Sequence, residues 1–205
     1  MRQLLKEFYA LCPDGICDRD SLTEAERTEM AQGAMYLTGI LQRHSVENGN
    51  RRVYPKEVLE REDKNYQMLI RQNRALGCLD HDDGDTVLLK ESSHIVVATW
   101  WDGNALMGKI KLLNTPNGKI AQSLVRDGVT LGISSRGMGS IKENNGKQIV
   151  DNDFILICYD LVTTPSTPGA FLSEGLTNNK LEEQKLLKKL TKDDKVVRII
   201  DSILA

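Results

Sequence analysis

Two adjacent serines, Ser134 and Ser135, stand between glycines in the run GISSRG at 132–137. A serine hydroxyl becomes a nucleophile when a base takes its proton and N–H groups face the developing oxyanion. Gly132 and Gly137 leave the backbone room for that arrangement. The same run also reads as a polar turn at the end of an apolar strand, with the hydroxyls filling hydrogen bonds, and it lacks the full G-x-S-x-G elbow. His81, in GCLDHDDGD at 77–85, is a candidate base. Its acidic neighbours favour the charged ring where they lie close. The alternative is a loop histidine, or a weak cation site built from Asp80, Asp82, Asp83 and Asp85, although their spacing does not match a calcium loop. Asp160 is a charge embedded in ILICYDLV, an otherwise apolar run. Alternation places it on one face with Leu156, Cys158 and Val162. A carboxylate there needs a partner, either a histidine that it orients or a structural arginine.

The elements that must carry these residues are mostly strands. HIVVATWW (94–101), ALMGKIKLL (105–113) and GVTLGISSR (128–136) read as strands, the first two joined by the hairpin signal DGN. DFILICYDLV (153–162) reads as a buried strand and AMYLTGILQRHSV (34–46) as another. Two helices are expected between them. One starts at Pro55 with Val58, Leu59, Leu69 and Ile70 on its buried stripe and ends before Gly77. The other covers 118–128 and is closed by Gly128. Ser21-Leu-Thr-Glu24 fits a capping box ahead of a short helix in the N-terminal segment. From Asn178 the chain turns charged and helical. The fold class is therefore α+β, a mostly antiparallel β core with surrounding helices.

The 205 residues suffice for one domain with a tail, and 40% of them are hydrophobic, enough for a core. With 29 acidic against 27 basic residues the chain is not built to coat nucleic acid. No apolar run is long enough to span a bilayer and no signal-peptide pattern opens the chain, so a soluble protein made in a cytoplasm is expected. The four cysteines Cys12, Cys17, Cys78 and Cys158 are scattered among only three histidines, His44, His81 and His94. That pattern predicts reduced thiols, no metal and no cofactor.

Five segments in order, ENGNRRVYP (47–55), ALGCLDH (75–81), TWWDGNALMGK (99–109), LGISSRGMGS (131–140) and DLVTTPSTPGAF (160–171), give the chain its affinity. It resembles the prohead core proteases of tailed phages, of the T-even-like myophage type, which are related to the herpesvirus assemblin protease. Cys78 stands where that family often has Glu, and Asp82 where it often has Pro. The resemblance implies a herpesvirus-protease-like barrel and a serine endopeptidase with His81 as base, Ser134 as nucleophile and Asp160 as third member. Ser135 is the competing nucleophile, and Arg136 takes a structural or oxyanion-supporting role. It further implies an N-terminal extension (1–33), a serine protease domain (34–175) and a charged helical C-terminal tail (176–205).

The same resemblance implies substrates among prohead scaffold, core and capsid proteins, cut after Glu in Leu/Ile-x-Glu sites within the prohead in the host cytoplasm. Leu22-Thr-Glu24 before Ala25 and Leu172-Ser-Glu174 before Gly175 fit such sites and point to self-cleavage, though the pattern also occurs at Leu5–Glu7 and Leu89–Glu91. A homo-oligomer is implied, with no direct nucleic acid and no membrane. The rival reading is a non-enzymatic capsid or scaffold component that keeps the fold.

Overall fold

The computed structural model describes residues 3–9, 22–81, 84–144, 146–163 and 173–174. The first half runs β1 (Gln3–Tyr9), α1 (Glu24–Ala31), β2 (Tyr36–Arg43), β3 (Arg52–Val53), α2 (Lys56–Arg71) and β4 (Leu76–Cys78). The second half runs β5 (Ser92–Asp102), β6 (Ala105–Leu112), α3 (Pro116–Arg126), β7 (Gly132–Gly139), β8 (Ile141–Asn144), β9 (Lys147–Val150), β10 (Ile155–Val162) and β11 (Ser173–Glu174). The α+β class expected from the sequence holds.

The strands form three sheets, in the orders β11-β2-β6-β5-β4, β1-β7-β10 and β3-β9-β8. Among the described residues these pairings do not close into a barrel, which departs from the barrel expected. The first two sheets meet at a corner through a parallel bridge between Leu79 and Leu161. Between them lies one core, in which Leu37, Leu41, Val96, Leu106 and Ile110 pack with Ile133, Tyr159 and Leu161. A second cluster joins Leu5, Tyr54, Val58, Leu59, Val150 and Phe154. Each such buried side chain contributes roughly 1.5–3 kcal/mol relative to exposure.

Local chemistry explains where the elements begin and end. The β5–β6 hairpin turns on Gly103 at φ +58°, as the DGN signal predicts. Thr115 caps α3 by accepting from Gly118 N at 3.1 Å, and Pro116 opens the helix two residues earlier than expected. The α2 helix stops where Asn73 enters the left-handed region at φ +53°. The capping box of α1 is Thr23 with Glu26, two residues beyond the expected Ser21–Glu24 pair: Thr23 N donates to Glu26 Oε2 at 2.7 Å and Glu26 N to Thr23 Oγ1 at 3.3 Å.

Two findings depart further from the sequence reading. Gln3–Tyr9, inside the expected N-terminal extension, runs antiparallel along β7 with Phe8 opposite Ser134. Leu5 is fully buried there. The β8–β9 hairpin, turning on Gly146 at φ +75°, adds a third sheet that no apolar pattern announced. The charged tail from 176, the two-proline segment 164–172, and Cys12 and Cys17 lie outside the described residues.

Candidate active site

GISSRG is strand, not turn. β7 runs through the whole motif with β1 on one side and β10 on the other, and Ser134, Ser135 and Arg136 are all buried. Gly137 serves close packing: a Cβ there would lie 2.6 Å from Ile155 O. On β10 an irregularity between Leu156 and Cys158 leaves Ile157 without a partner and brings Asp160 directly opposite Ser134. Opposite residues of a ladder share a face. Arg136 lies on that face and Ser135 on the other, by the two-residue period of a strand.

His81 arrives from the corner where the two main sheets meet. After β4 the chain bridges to β10, with Asp80 N donating to Leu161 O at 2.8 Å. Asp80 takes φ +62°, an uncommon conformation that favours residues such as Asp and Asn with short polar side chains. The turn directs the imidazole across Asp160 and Ser134. His81 Nδ1 lies 3.0 Å from Asp160 Oδ2, and His81 Nε2 lies 2.7 Å from Ser134 Oγ. The three residues singled out in the sequence therefore meet in one hydrogen-bonded chain. Ser135 stays apart, with its Oγ buried and without a hydrogen-bond partner among the described residues.

Asp160 is fully buried and accepts five hydrogen bonds. Oδ2 accepts from His81 and from Arg136 Nε at 2.8 Å. Oδ1 accepts from Cys78 N at 3.0 Å, Arg136 Nη2 at 3.3 Å and the Cys158 thiol at 3.3 Å. Burial alone pushes this carboxyl up. The hydrogen bonds from His81, Cys78 N–H and Arg136, with the guanidinium charge, overcome burial and hold it at about 2. Burial also raises the Cys78 and Cys158 thiols, so both stay protonated.

His94 is close but separate. It pairs with Gly77 across β4 and β5, is fully buried, and has Nδ1 2.9 Å from Ser93 Oγ. Burial lowers it to about 4 against the pull of Asp160, so its ring is neutral. Outward from His81 a hollow of about 310 Å³ is lined by Leu79, His81, Leu88, Lys90 and Glu91, among others.

A serine hydrogen-bonded to an imidazole that is itself hydrogen-bonded to an ionised, buried carboxylate is the constellation of acyl-transfer hydrolases. A family model described as prohead core protein serine protease matches residues 9–181. The chain belongs to this family. It is 36% identical over 147 residues to the prohead core protein protease of Enterobacteria phage T4, 68% of each chain being covered. The prohead core protease fold is also similar to the solved structure of the bacteriophage T4 capsid assembly protease. The TM-score is 0.67 at 30% identity, over 80% of this chain and 99% of that one.

Reading the sequence missed what surrounds the triad of candidates in this prohead core protease. Arg136, for which a structural or oxyanion-supporting role was expected, has its guanidinium fully buried and paired with Asp160, so the histidine and the arginine offered as alternative partners of that carboxylate both meet it. The two carboxylates on the inner face of α2 were also missed. Glu62 accepts from Leu156 N at 2.8 Å, and Asp63 from Thr99 Oγ1 at 2.6 Å and Trp101 Nε1 at 3.2 Å. Their only sequence signal is position, since they fall one turn after Val58 and Leu59 on the same stripe.

Proposed function

We propose that this prohead core protease is a serine endopeptidase in which Ser134 attacks, His81 carries the proton and Asp160 holds His81. The observation that carries the reading is the continuous chain from Ser134 Oγ through the imidazole to Asp160, with links of 2.7 and 3.0 Å. As the Ser134 Oγ bonds to the scissile carbonyl carbon, its proton passes to His81 Nε2. Backbone N–H groups hold the oxyanion. The imidazolium then protonates the leaving amine, leaving an acyl-enzyme that water hydrolyses by the same proton route in reverse. Asp160 keeps Nδ1 protonated, so that Nε2 presents its lone pair to the serine. Ser134 has no exposed surface in this state, so residues around it must shift to admit a peptide.

Its substrates are the scaffold, core and capsid proteins of the prohead, in the host cytoplasm, cut after Glu in Leu/Ile-x-Glu sequences. The names of the phage T4 relatives, a prohead core protein protease and a capsid assembly protease, support the prohead setting of these substrates. The enzyme also cuts itself after Glu24 and Glu174. Glu24 is the first residue of α1, behind the buried Leu22, so cleavage there requires the first helical turn to open. Glu174 pairs with Leu37 on the edge of β2, and the compact unit of the chain ends one residue later, at Gly175.

The test is hydrolysis of a Leu-x-Glu peptide by wild type, Ser134→Ala and Ser135→Ala. Activity is expected to vanish in the first variant and persist in the second. Full activity in Ser134→Ala refutes the nucleophile assignment. Intact mass of wild type against Ser134→Ala after incubation tests self-cleavage, and equal masses would sink that part.

A further inference from the structure

Arg136 is a fully buried cation, and a buried charge is retained at a cost of several kcal/mol unless it is paired and its N–H groups are used. Its use here is unusual in reach. Nε and Nη2 fork onto the two oxygens of Asp160, at 2.8 and 3.3 Å. Nη1 turns the other way and donates to Gly84 O at 2.7 Å, with Thr86 O at 3.4 Å. Nη2 also lies 3.7 Å from Cys78 Sγ. One planar group therefore touches β10 through Asp160, the end of β4 through Cys78, and the segment just after His81 through Gly84. His81 lies between those last two points, three residues after Cys78 and three before Gly84.

We infer that Arg136 is the positioning residue of the catalytic histidine, setting it from two sides at once. It fixes the carboxylate that receives His81 Nδ1–H, and it anchors the backbone carbonyl that closes the His81 loop. Another anchor near His81 is Asp80 N to Leu161 O at 2.8 Å. Without Arg136, Gly84 O loses this donor, and Asp160 loses the fork that engages both of its oxygens at once. Lysine cannot replace it, because an ammonium is a point charge without a rigid fork and cannot serve both oxygens and a carbonyl in the opposite direction. The reading also explains why the arginine sits two residues after the nucleophile. That spacing returns it to the face of β7 that carries Ser134, beside Asp160.

This inference rests on the Ser134–His81–Asp160 assignment, and its test has an arm that does not depend on turnover. Wild type, Arg136→Met and Arg136→Lys are compared by peptide hydrolysis and by proton NMR of the low-field His81 Nδ1–H signal, which His81→Gln identifies. Arg136→Met is expected to lose on the order of 100-fold in kcat, as a misplacement of about 1 Å does. KM should stay within about twofold, since Arg136 does not touch the substrate, and the low-field signal should disappear. Arg136→Lys keeps the charge and is expected to fold, yet to lose the signal and most of kcat. If Arg136→Met does not fold, Arg136→Lys decides alone. A wild-type signal and wild-type kcat in Arg136→Lys overturn the inference. Should Ser134→Ala prove active, the triad reading fails by itself, whereas loss of the signal in both Arg136 variants would still support the positioning role.

Discussion

Asp160→Asn isolates the contribution of the carboxylate. Both oxygens of Asp160 accept from donors, Oδ2 from His81 and Arg136, and Oδ1 from Cys78 N, Arg136 and Cys158. An amide in the same place offers one acceptor and one donor, so in either orientation its NH2 meets at least two other donors. Removing the negative charge also takes away the buried carboxylate onto which the Arg136 guanidinium forks. Breaking such a pair costs about 3–5 kcal/mol. For a chain of this size that is a fall of about 6–20 °C in Tm. Catalysis suffers separately. If the amide turns its oxygen away from His81, the ring adopts the other tautomer, and Nε2 donates to Ser134 instead of accepting from it. The expected loss in kcat is about 10⁴-fold. Thermal unfolding followed by circular dichroism, and peptide hydrolysis at neutral pH, measure the two effects. The double variant Arg136→Met/Asp160→Asn separates them: it should recover most of the stability, because both members of the buried pair are removed together, and remain inactive. A single Asp160→Asn variant within about tenfold of wild-type kcat and about 2 °C of its Tm would refute both arguments.

Three further outcomes follow from the same geometry. Ser135→Ala removes a buried hydroxyl that has no hydrogen-bond partner among the described residues, so unfolding by denaturant should show a change within about 1 kcal/mol, and kcat/KM should stay within about threefold. Gly77→Ala would place a Cβ 2.0 Å from Tyr159 O and 2.4 Å from the His94 ring. β4 must shift, with a cost of at least 1–3 kcal/mol and a lower kcat because β4 leads into His81; a wild-type Tm would show that the backbone yields freely there. Asp160 is held at about 2 rather than 3.8, and a depressed folded value gives stability that is present above about pH 4 and drains away as the pH falls toward 2. The contribution is about 2 kcal/mol, and it should be missing from the acid unfolding curve of Arg136→Met/Asp160→Asn.

Much of this site was legible because its signals are local. Asp160 violates an apolar run, and a charge in that setting predicts burial with a partner. The two-residue period placed it with Cys158 on the face where it lies. The hairpin at Gly103 and the helices after Pro55 and before Gly128 follow from turn and cap chemistry within a few residues. What escaped depends on contacts far apart in the chain. The partners of Arg136 are 24 residues ahead at Asp160 and 52 behind at Gly84, and nothing adjacent distinguishes it from a surface arginine. Gln3–Tyr9 alternates too weakly to announce a strand, and its place is set by the free edge of β7. GISSRG reads as the end of a strand or as a turn, because glycine and serine favour turns; it is strand throughout, and its Gly137 admits Phe154 and the backbone of Ile155. The barrel expected from the resemblance failed for another reason, since closure depends on which strands pair and not on which residues form them.

Ser134 and Ser135 are chemically the same residue, separated by 3.3 Å of chain rise or thereabouts. What distinguishes them is parity. Counted along β7 from the residue opposite Asp160, even steps share the face of Asp160 and odd steps lie on the other face. A deletion of one residue between Gly132 and Ser134, or a slip of one place against β10, would retire one serine and present the other with no change in side-chain chemistry. The nucleophile is thus specified by counting, and the unpartnered Ile157 on β10 is the place where the count is set.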